Sequence, residues 1–285
     1  MIMVRVSIVQ MKSSPDKEEN LAFSLEQIEQ SARKEAKIIC FPEFQMSFSP
    51  QSQSSKELFS ISESLNGNFV KQLKKSAREN NIFIVGSIYE HTNLITTNTK
   101  QEKESKINKN SYRVYDTVVL INEQGKLISY YRKLHLYDAL GFKESTKLLA
   151  GNKLFSPVTS PLGKLGTLVC YDLRFPELSR ILAIKGSNAL IAPSGWVQGT
   201  MKEDHWLIMC RARAIENGVY LIAPNQIGNI FCGRSLVVDP FGVVVTDMGN
   251  SEGFEFIDLD LSRIGVVRKS LPLLKNRRKD LYHIH

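Results

Sequence analysis

Polar and apolar residues alternate from the first residues of the chain. Val4, Val6 and Ile8 take turns with Arg5 and Ser7 before Val9, and a period of two predicts a strand with one buried face. Ser13-Ser14-Pro15-Asp16 then supplies N-cap candidates, Ser or Asp, for a helix. Leu21, Leu25, Ile28 and Ala32 recur along that helix at the spacing of one buried stripe. The apolar run from Ala36 to Phe41 predicts a second strand, ending in Pro42-Glu43-Phe44. Residues 47–57 are polar and serine-rich, and read as a loop. Phe69, Leu73 and Ala77 predict another helix, and the run from Ile82 to Ile88 a third strand. Two strand–helix–strand units in succession predict an α/β fold.

The pattern breaks at 92–111, a polar stretch with few apolar anchors. It reads as a long hairpin connection or insertion rather than a domain boundary. Thr117 to Ile121 and Lys126 to Tyr131 then flank Asn122-Glu123-Gln124-Gly125, a hairpin with a glycine turn. Leu165, Leu168 and Val169 suit a buried strand, and Phe175-Pro176-Glu177 opens a helix. Proline is tolerated in a first helical turn, and a glutamate there meets the positive end of the dipole. Further strands are predicted at 188–192, 219–223, 235–238, 243–245 and 254–258, and a helix at 202–217. No repeat recurs at a fixed period. The expectation is a single many-stranded α/β domain over 1–285.

Composition narrows the function. The chain has 285 residues, 42% hydrophobic and 23% charged, ordinary for a globular protein with a sizeable core. The net charge of +8 lies partly in Arg268-Lys269 and Arg277-Arg278-Lys279. Nucleic-acid binding would call for interleaved aromatics or a known module, and neither is present. A solvated basic face, or a tail packed on a partner subunit, fits better. Cys40, Cys170, Cys210 and Cys232 are scattered, with no CxxC pair, which argues against a zinc site and a disulfide framework. Reduced cysteines, no signal-peptide-like start and no membrane-length apolar run point to the cytoplasm.

Three predicted strand ends carry reactive side chains. Cys170 follows an apolar strand and precedes a helix. Ligands gather at such places in α/β sheets, and a helix amino terminus favours thiolate over thiol. Buried, inert cysteine is the plain alternative; the polar run Asp172, Arg174, Glu177 favours function. Glu43 lies between Phe41-Pro42 and Phe44. Desolvation there would make it a useful base, unless it is a loop-exposed acid. Lys133 has apolar or aromatic neighbours on both sides, so it is either a surface residue or a buried cation needing a carboxylate. The loop from Tyr137 to Gly151 carries Glu144, and His135 reads as structural, with no evident partner. A thiol nucleophile needs a base, and a carbonyl under attack needs a cation or donors for its oxyanion. Cysteine, glutamate and lysine supply these roles without histidine, if their strand ends meet in one crevice. Arg174 either pairs a substrate carboxylate or makes a structural salt bridge with Asp172 or Glu177.

The chain resembles the nitrilase superfamily of carbon–nitrogen hydrolases, in its Nit-type amidase branch. Phe41-Pro42-Glu43, Tyr131-Arg132-Lys133-Leu134-His135-Leu136 and Cys170-Tyr171-Asp172-Leu173-Arg174-Phe175-Pro176-Glu177 resemble its three motifs in order. His205-Trp206 with Arg211 to Asn217 resembles its interface helix, and Arg277 to Tyr282 its carboxyl end. The resemblance implies a four-layer α-β-β-α sandwich that assembles into homodimers or larger homo-oligomers. It implies Glu43 as general base, Cys170 as nucleophile, and Lys133 with the Tyr171 N–H as oxyanion donors. A thioester would form as ammonia or an amine leaves, and Glu43 would assist its hydrolysis. Glu144 matches a second family glutamate, which orients the lysine or the water. Tyr171, Arg174 and Trp196 are the candidate substrate-binding residues, and no metal or organic cofactor is implied. The segment 92–111 is longer than the family's usual hairpin, and the loop Gly228 to Gly233 is shorter than expected for some Nit-type members. The expected substrate is a small ω-amide of a carboxylic acid, such as a 2-oxo-dicarboxylate monoamide. N-carbamoyl amino acids and nitriles are alternatives. A catalytically silent scaffold is the non-enzyme alternative, and the intact Glu43, Lys133, Cys170 and Glu144 argue against it.

Overall fold

The computed structural model describes residues 3–92 and 112–281. Apart from Thr92, the polar segment expected at 92–111 therefore lies outside the described residues, as does Tyr282. The first half runs β1 (Met3–Gln10), α1 (Lys17–Arg33), β2 (Ile38–Cys40), α2 (Ser55–Ile61), α3 (Asn68–Glu79), β3 (Phe83–Glu90), β4 (Tyr115–Ile121) and β5 (Leu127–Arg132). The second runs β6 (Val158–Ser160), β7 (Gly163–Thr167), α4 (Pro176–Ile184), β8 (Ala189–Ile191), α5 (Lys202–Asn217), β9 (Tyr220–Ala223), β10 (Ile227–Gly228), β11 (Phe231–Cys232), β12 (Leu236–Val238), β13 (Val244–Asp247), β14 (Gly253–Asp260) and α6 (Ser262–Ser270).

Two six-stranded sheets result, in the orders β14-β1-β2-β3-β4-β5 and β13-β12-β9-β8-β7-β6. Each is parallel at its centre, where helices make the crossovers, and antiparallel toward its edges. The chain's last strand returns to the first sheet, pairing Met3 with Asp260 and Gln10 with Gly253.

Side-chain alternation builds the layers. Val4, Val6, Ile8, Val118 and Leu120 face a core shared with Leu165, Leu190, Leu221 and Leu236 of the second sheet. Ile39, Ile84, Val119 and Ile121 face the other way, onto Leu21 and Ile28 of α1 and Val70 and Leu73 of α3. Leu178 and Leu182 of α4 and Trp206, Cys210 and Ala214 of α5 belong to the core on the second sheet. The result is the expected α-β-β-α sandwich.

Local signals explain three of the six described helix starts. Asp16 is the N-cap of α1, accepting from the Glu18 N–H at 2.8 Å. α4 carries proline in its first turn. One expectation fails: the loop at 47–57 gives way at Ser55 to α2. A capping box starts it, with Ser54 Oγ accepting from the Glu57 N–H and the Glu57 carboxylate accepting from the Ser54 N–H. Only Leu58 of that helix is buried, so no apolar stripe announces it. The loop at 228–233 proves to be a tight hairpin, with Ile227 paired to Cys232 and Asn229 left-handed at φ 52°.

Candidate active site

Glu43, Lys133 and Cys170 each follow the end of a strand (β2, β5 and β7) and meet in one crevice. The chain turns sharply after β2, with Phe44 at φ 62°, and drives Glu43 fully into the interior. The loop-exposed alternative is thereby excluded. Glu43 Oε1 accepts from Lys133 Nζ at 2.7 Å, and Oε2 from the Gly195 N–H at 2.6 Å. Its own carbonyl accepts from Gln226 Nε2 at 2.8 Å. The base candidate is therefore held at side chain and main chain.

Lys133 continues β5 by one more rung, its N–H donating to the Asp116 carbonyl at 2.9 Å. Its Nζ also donates to Glu144 Oε1 at 3.0 Å, and lies 2.8 Å from Oε2. Lys133 is thus the buried cation, not the surface residue. Burial alone would push its pKa down, but Glu144 and Glu43 outweigh that and hold it well above its ordinary value. Glu144 opens a short turn, Glu144–Thr146, where Oε2 also accepts from the Tyr137 N–H at 2.7 Å. Burial and the nearby Glu43 raise the Glu144 carboxyl, with Lys133 opposing them.

Cys170 begins a tight turn, Cys170–Arg174. Its N–H donates to the Pro193 carbonyl at 3.0 Å. Its φ of 43° is left-handed, a strained conformation for a residue with a Cβ and one that clusters at functional sites. The side chain is all but buried, and the thiol lies beside Glu43. The expected thiolate is not what this environment favours. Burial first, then the charge of Glu43, push the thiol well above its ordinary value, with only Lys133 pulling it down. Helix α4 starts six residues further on, too far for its dipole to dominate. The geometry offers a neutral thiol beside a buried carboxyl group, Glu43.

Asp172 ties these pieces together, a role the sequence did not reveal. Oδ2 accepts from Tyr131 O–H at 2.8 Å and from the Val169 N–H at 2.9 Å. Oδ1 accepts from the His135 N–H at 3.0 Å and from His135 Nδ1 at 2.7 Å. The imidazole also stacks on Phe175, with centroids 3.6 Å apart. His135 is structural, as expected, and Asp172 is its partner. The strand bearing Lys133 is thereby clasped to the turn bearing Cys170. Gly195 was also missed as a site residue. A Cβ there would stand 2.5 Å from a ring carbon of Phe44 and 2.9 Å from one of Phe231, so only glycine brings this N–H to Glu43.

The salt bridge considered for Arg174 is absent among the described residues, since Asp172 is fully engaged elsewhere. The guanidinium instead lies 4.5 Å from the centroid of the Trp196 ring and 3.4 Å from His205 Nδ1. Trp196 is buried, and its Nε1 donates to the Lys202 carbonyl at 2.7 Å. Two recesses open on Cys170. The larger, about 280 Å³, has walls of Phe44, Phe48, Tyr89, Phe142 and Phe231, with Lys143, Glu144 and Lys147 also lining it. The smaller is lined by Tyr171, Arg174, Trp196 and Lys202. The Tyr171 N–H, at the first turn after Cys170, makes no backbone hydrogen bond among the described residues. Among those residues no cluster of three or more His, Cys, Asp and Glu is arranged to hold a metal ion.

This fold and this site place the chain in a class. The sequence profile described as Carbon-nitrogen hydrolase matches residues 5–269, and the chain belongs to the carbon–nitrogen hydrolase family. It is similar to the deaminated glutathione amidase of Bos taurus, at 34% identity over 288 residues that cover 97% of this chain and 83% of that protein. Among solved structures it is similar to Saccharomyces cerevisiae Nit3, a member of branch 10 of the nitrilase superfamily. The TM-score is 0.80 at 31% identity, covering 97% of each chain. The C. elegans NitFhit protein superposes with a TM-score of 0.87 at 28% identity, covering 99% of this chain and 66% of that one.

Proposed function

We propose that this carbon–nitrogen hydrolase is a thiol amidase that cleaves a small ω-amide of a carboxylic acid through a Cys170 thioester. The observation that carries the reading is the Glu43 carboxylate, buried, bonded to Lys133 Nζ and the Gly195 N–H, and in contact with the Cys170 thiol. Glu43 takes the thiol proton as sulfur attacks the amide carbon. Lys133 and the Tyr171 N–H stabilise the oxyanion. Glu43 then gives its proton to the departing ammonia. A water takes the place of ammonia, Glu43 removes its proton, and the thioester is hydrolysed. Glu144 keeps Lys133 in place throughout.

Relatives named deaminated glutathione amidase support an amide carrying a second carboxylate. Arg174 is the candidate to bind that carboxylate, with Trp196 as the plate that orients the guanidinium and Tyr171 beside it. The reading extends to assembly and place. Exposed Ile208, Phe241, Val243 and Val266 support a homodimer or larger assembly, which size-exclusion chromatography with light scattering measures. Four unpaired cysteines support a reducing compartment, the cytoplasm. The central test is ammonia release from a panel of ω-amides, N-carbamoyl amino acids and nitriles, with mass spectrometry of the trapped acyl-enzyme. Cys170→Ala must abolish both ammonia and adduct. Turnover that survives the substitution removes Cys170 as nucleophile, and a preference for carbamoyl compounds or nitriles replaces the substrate class.

A further inference from the structure

Asp116 is a buried ionisable group to which the reaction above gives no role. It lies on β4, opposite Tyr89 of β3, with a relative exposure of 1%. Its carbonyl accepts from the Lys133 N–H at 2.9 Å, and its side chain lies beside Glu43. Its Oδ2 is buried with no hydrogen-bond donor in reach. The Lys133 ammonium, whose bonds run to Glu43 and Glu144, does not bond it.

The charges around Lys133 then have to be reconciled. Three carboxyls, Glu43, Glu144 and Asp116, face one ammonium, with the phenol of Tyr89 as the remaining titratable group beside Asp116. All three ionised would leave a net charge of minus two around two fully buried carboxyls, which is strongly unfavourable. Glu43 has an ammonium and a backbone N–H to stabilise its anion, whereas Asp116 has an oxygen with no donor at all. An anion without donors suffers the larger solvation loss, so the proton resides on Asp116. Burial first, then the charge of Glu43, push its carboxyl well above the usual carboxylate range, against the pull of Lys133.

We propose that Asp116 is a protonated positioning residue whose carboxylic acid donates a hydrogen bond to Glu43, holding that base ionised and aimed at the Cys170 thiol. The inference rests on Glu43 being the base. A carboxylate has about four acceptor sites. Lys133 Nζ, the Gly195 N–H and the Asp116 O–H fill three, and the fourth is left for the thiol proton. The proton that moves is the one on sulfur, which passes to Glu43 and on to the leaving amine. The Asp116 proton stays where it is.

Asp116→Asn keeps a neutral donor beside Glu43, and Asp116→Leu removes it. With the monoamide of succinate as probe, the acid limb of kcat/KM stays in place for Asp116→Asn. For Asp116→Leu it moves up by about one pH unit, because Glu43 loses a donor to its ionised form, and kcat falls about 10- to 100-fold. The infrared spectrum of the wild-type protein at neutral pH contains a buried carboxylic-acid carbonyl band that Asp116→Asn deletes. The proposal is overturned if that band is absent. It is also overturned if Asp116→Asn moves the acid limb downward, as loss of an anion beside Glu43 would, or if both variants leave the limb unmoved. The infrared band needs no turnover, so it is read even where Asp116→Leu does not fold. Persistence of activity in Cys170→Ala would instead refute the thiol mechanism and leave the band as it was.

Discussion

Asp172→Asn tests the clasp between the two catalytic strand ends. Each carboxylate oxygen of Asp172 receives one backbone N–H, from His135 on one side and from Val169 on the other. Each also receives one side-chain donor, His135 Nδ1 or the Tyr131 hydroxyl. An asparagine of the same shape has only one oxygen. Whichever way the amide turns, its NH2 meets one of the two backbone N–H groups and leaves it without an acceptor. The hydroxyl of Tyr131 can rotate and the imidazole can change tautomer, but a main-chain N–H can do neither. An orphaned buried N–H costs about 1–3 kcal/mol. With about 2–4 °C per kcal/mol for a protein of roughly this size, the melting temperature falls by about 2–12 °C. Activity falls further than stability. Lys133 and Cys170 lie within two residues of the clasped groups, and a shift of about 1 Å in a reacting group costs about 100-fold in rate. Differential scanning fluorimetry and ammonia release on the same preparation read both numbers. A variant with wild-type melting temperature and wild-type kcat refutes the clasp.

Four further outcomes follow from the site. Gly195→Ala leaves the protein folded but withdraws the N–H from Glu43, because the new Cβ meets the Phe44 ring at 2.5 Å; kcat drops about 10- to 100-fold in the ammonia assay. Glu43→Gln slows ammonia release by about 10²–10⁴-fold. The same change makes Cys170 easier to ionise, because the charge that raises the thiol is gone, so iodoacetamide alkylates it faster at a fixed alkaline pH. Arg174→Met raises KM for carboxylate-bearing amides by about 10- to 100-fold, the worth of a charge-assisted pair, and leaves uncharged amides unaffected. Asp116 has a raised native value, so the native state keeps a proton that the unfolded chain releases near pH ~3.9. Its contribution to stability is lost as pH rises from about 4 toward that native value; melting curves of Asp116→Asn therefore gain on wild type between about pH 4 and 7.

The sequence made Glu43, Lys133 and Cys170 legible for one reason. Each is a reactive side chain set directly after an apolar run, and strand ends are where an α/β sheet gathers its chemistry. Gly195 acts through a main-chain N–H, which no residue letter announces. Asp116 precedes the apolar run that signalled its strand, and only packing against Glu43 gives it meaning. Arg174 was read against neighbours in sequence, Asp172 and Glu177, whereas the structure gives Asp172 to Tyr131, Val169 and His135 and leaves the guanidinium to stack on Trp196. The thiolate expectation failed the same way. A local dipole argued for ionisation, and burial first, then the charge of the distant Glu43, decided against it.

That failure clarifies what kind of site this is. A cysteine with a lowered pKa would be reactive before any substrate arrived. Here the thiol is buried, neutral and set beside the proposed base, Glu43, which comes from a different strand end, 127 positions earlier in the numbering. The bonds that hold that base span 90 residues to Lys133 and 152 to Gly195. Neither half of the chain contains the site by itself. The first sheet brings the base and the ammonium, the second brings the thiol and the Gly195 N–H, and the clasp at Asp172 fixes the two sets relative to each other. In the proposed reaction, proton transfer from sulfur to Glu43 is unfavourable until a carbonyl is in place to receive the electron pair. Lys133, held by Glu43 and Glu144, is the group proposed to meet the charge that then develops on oxygen.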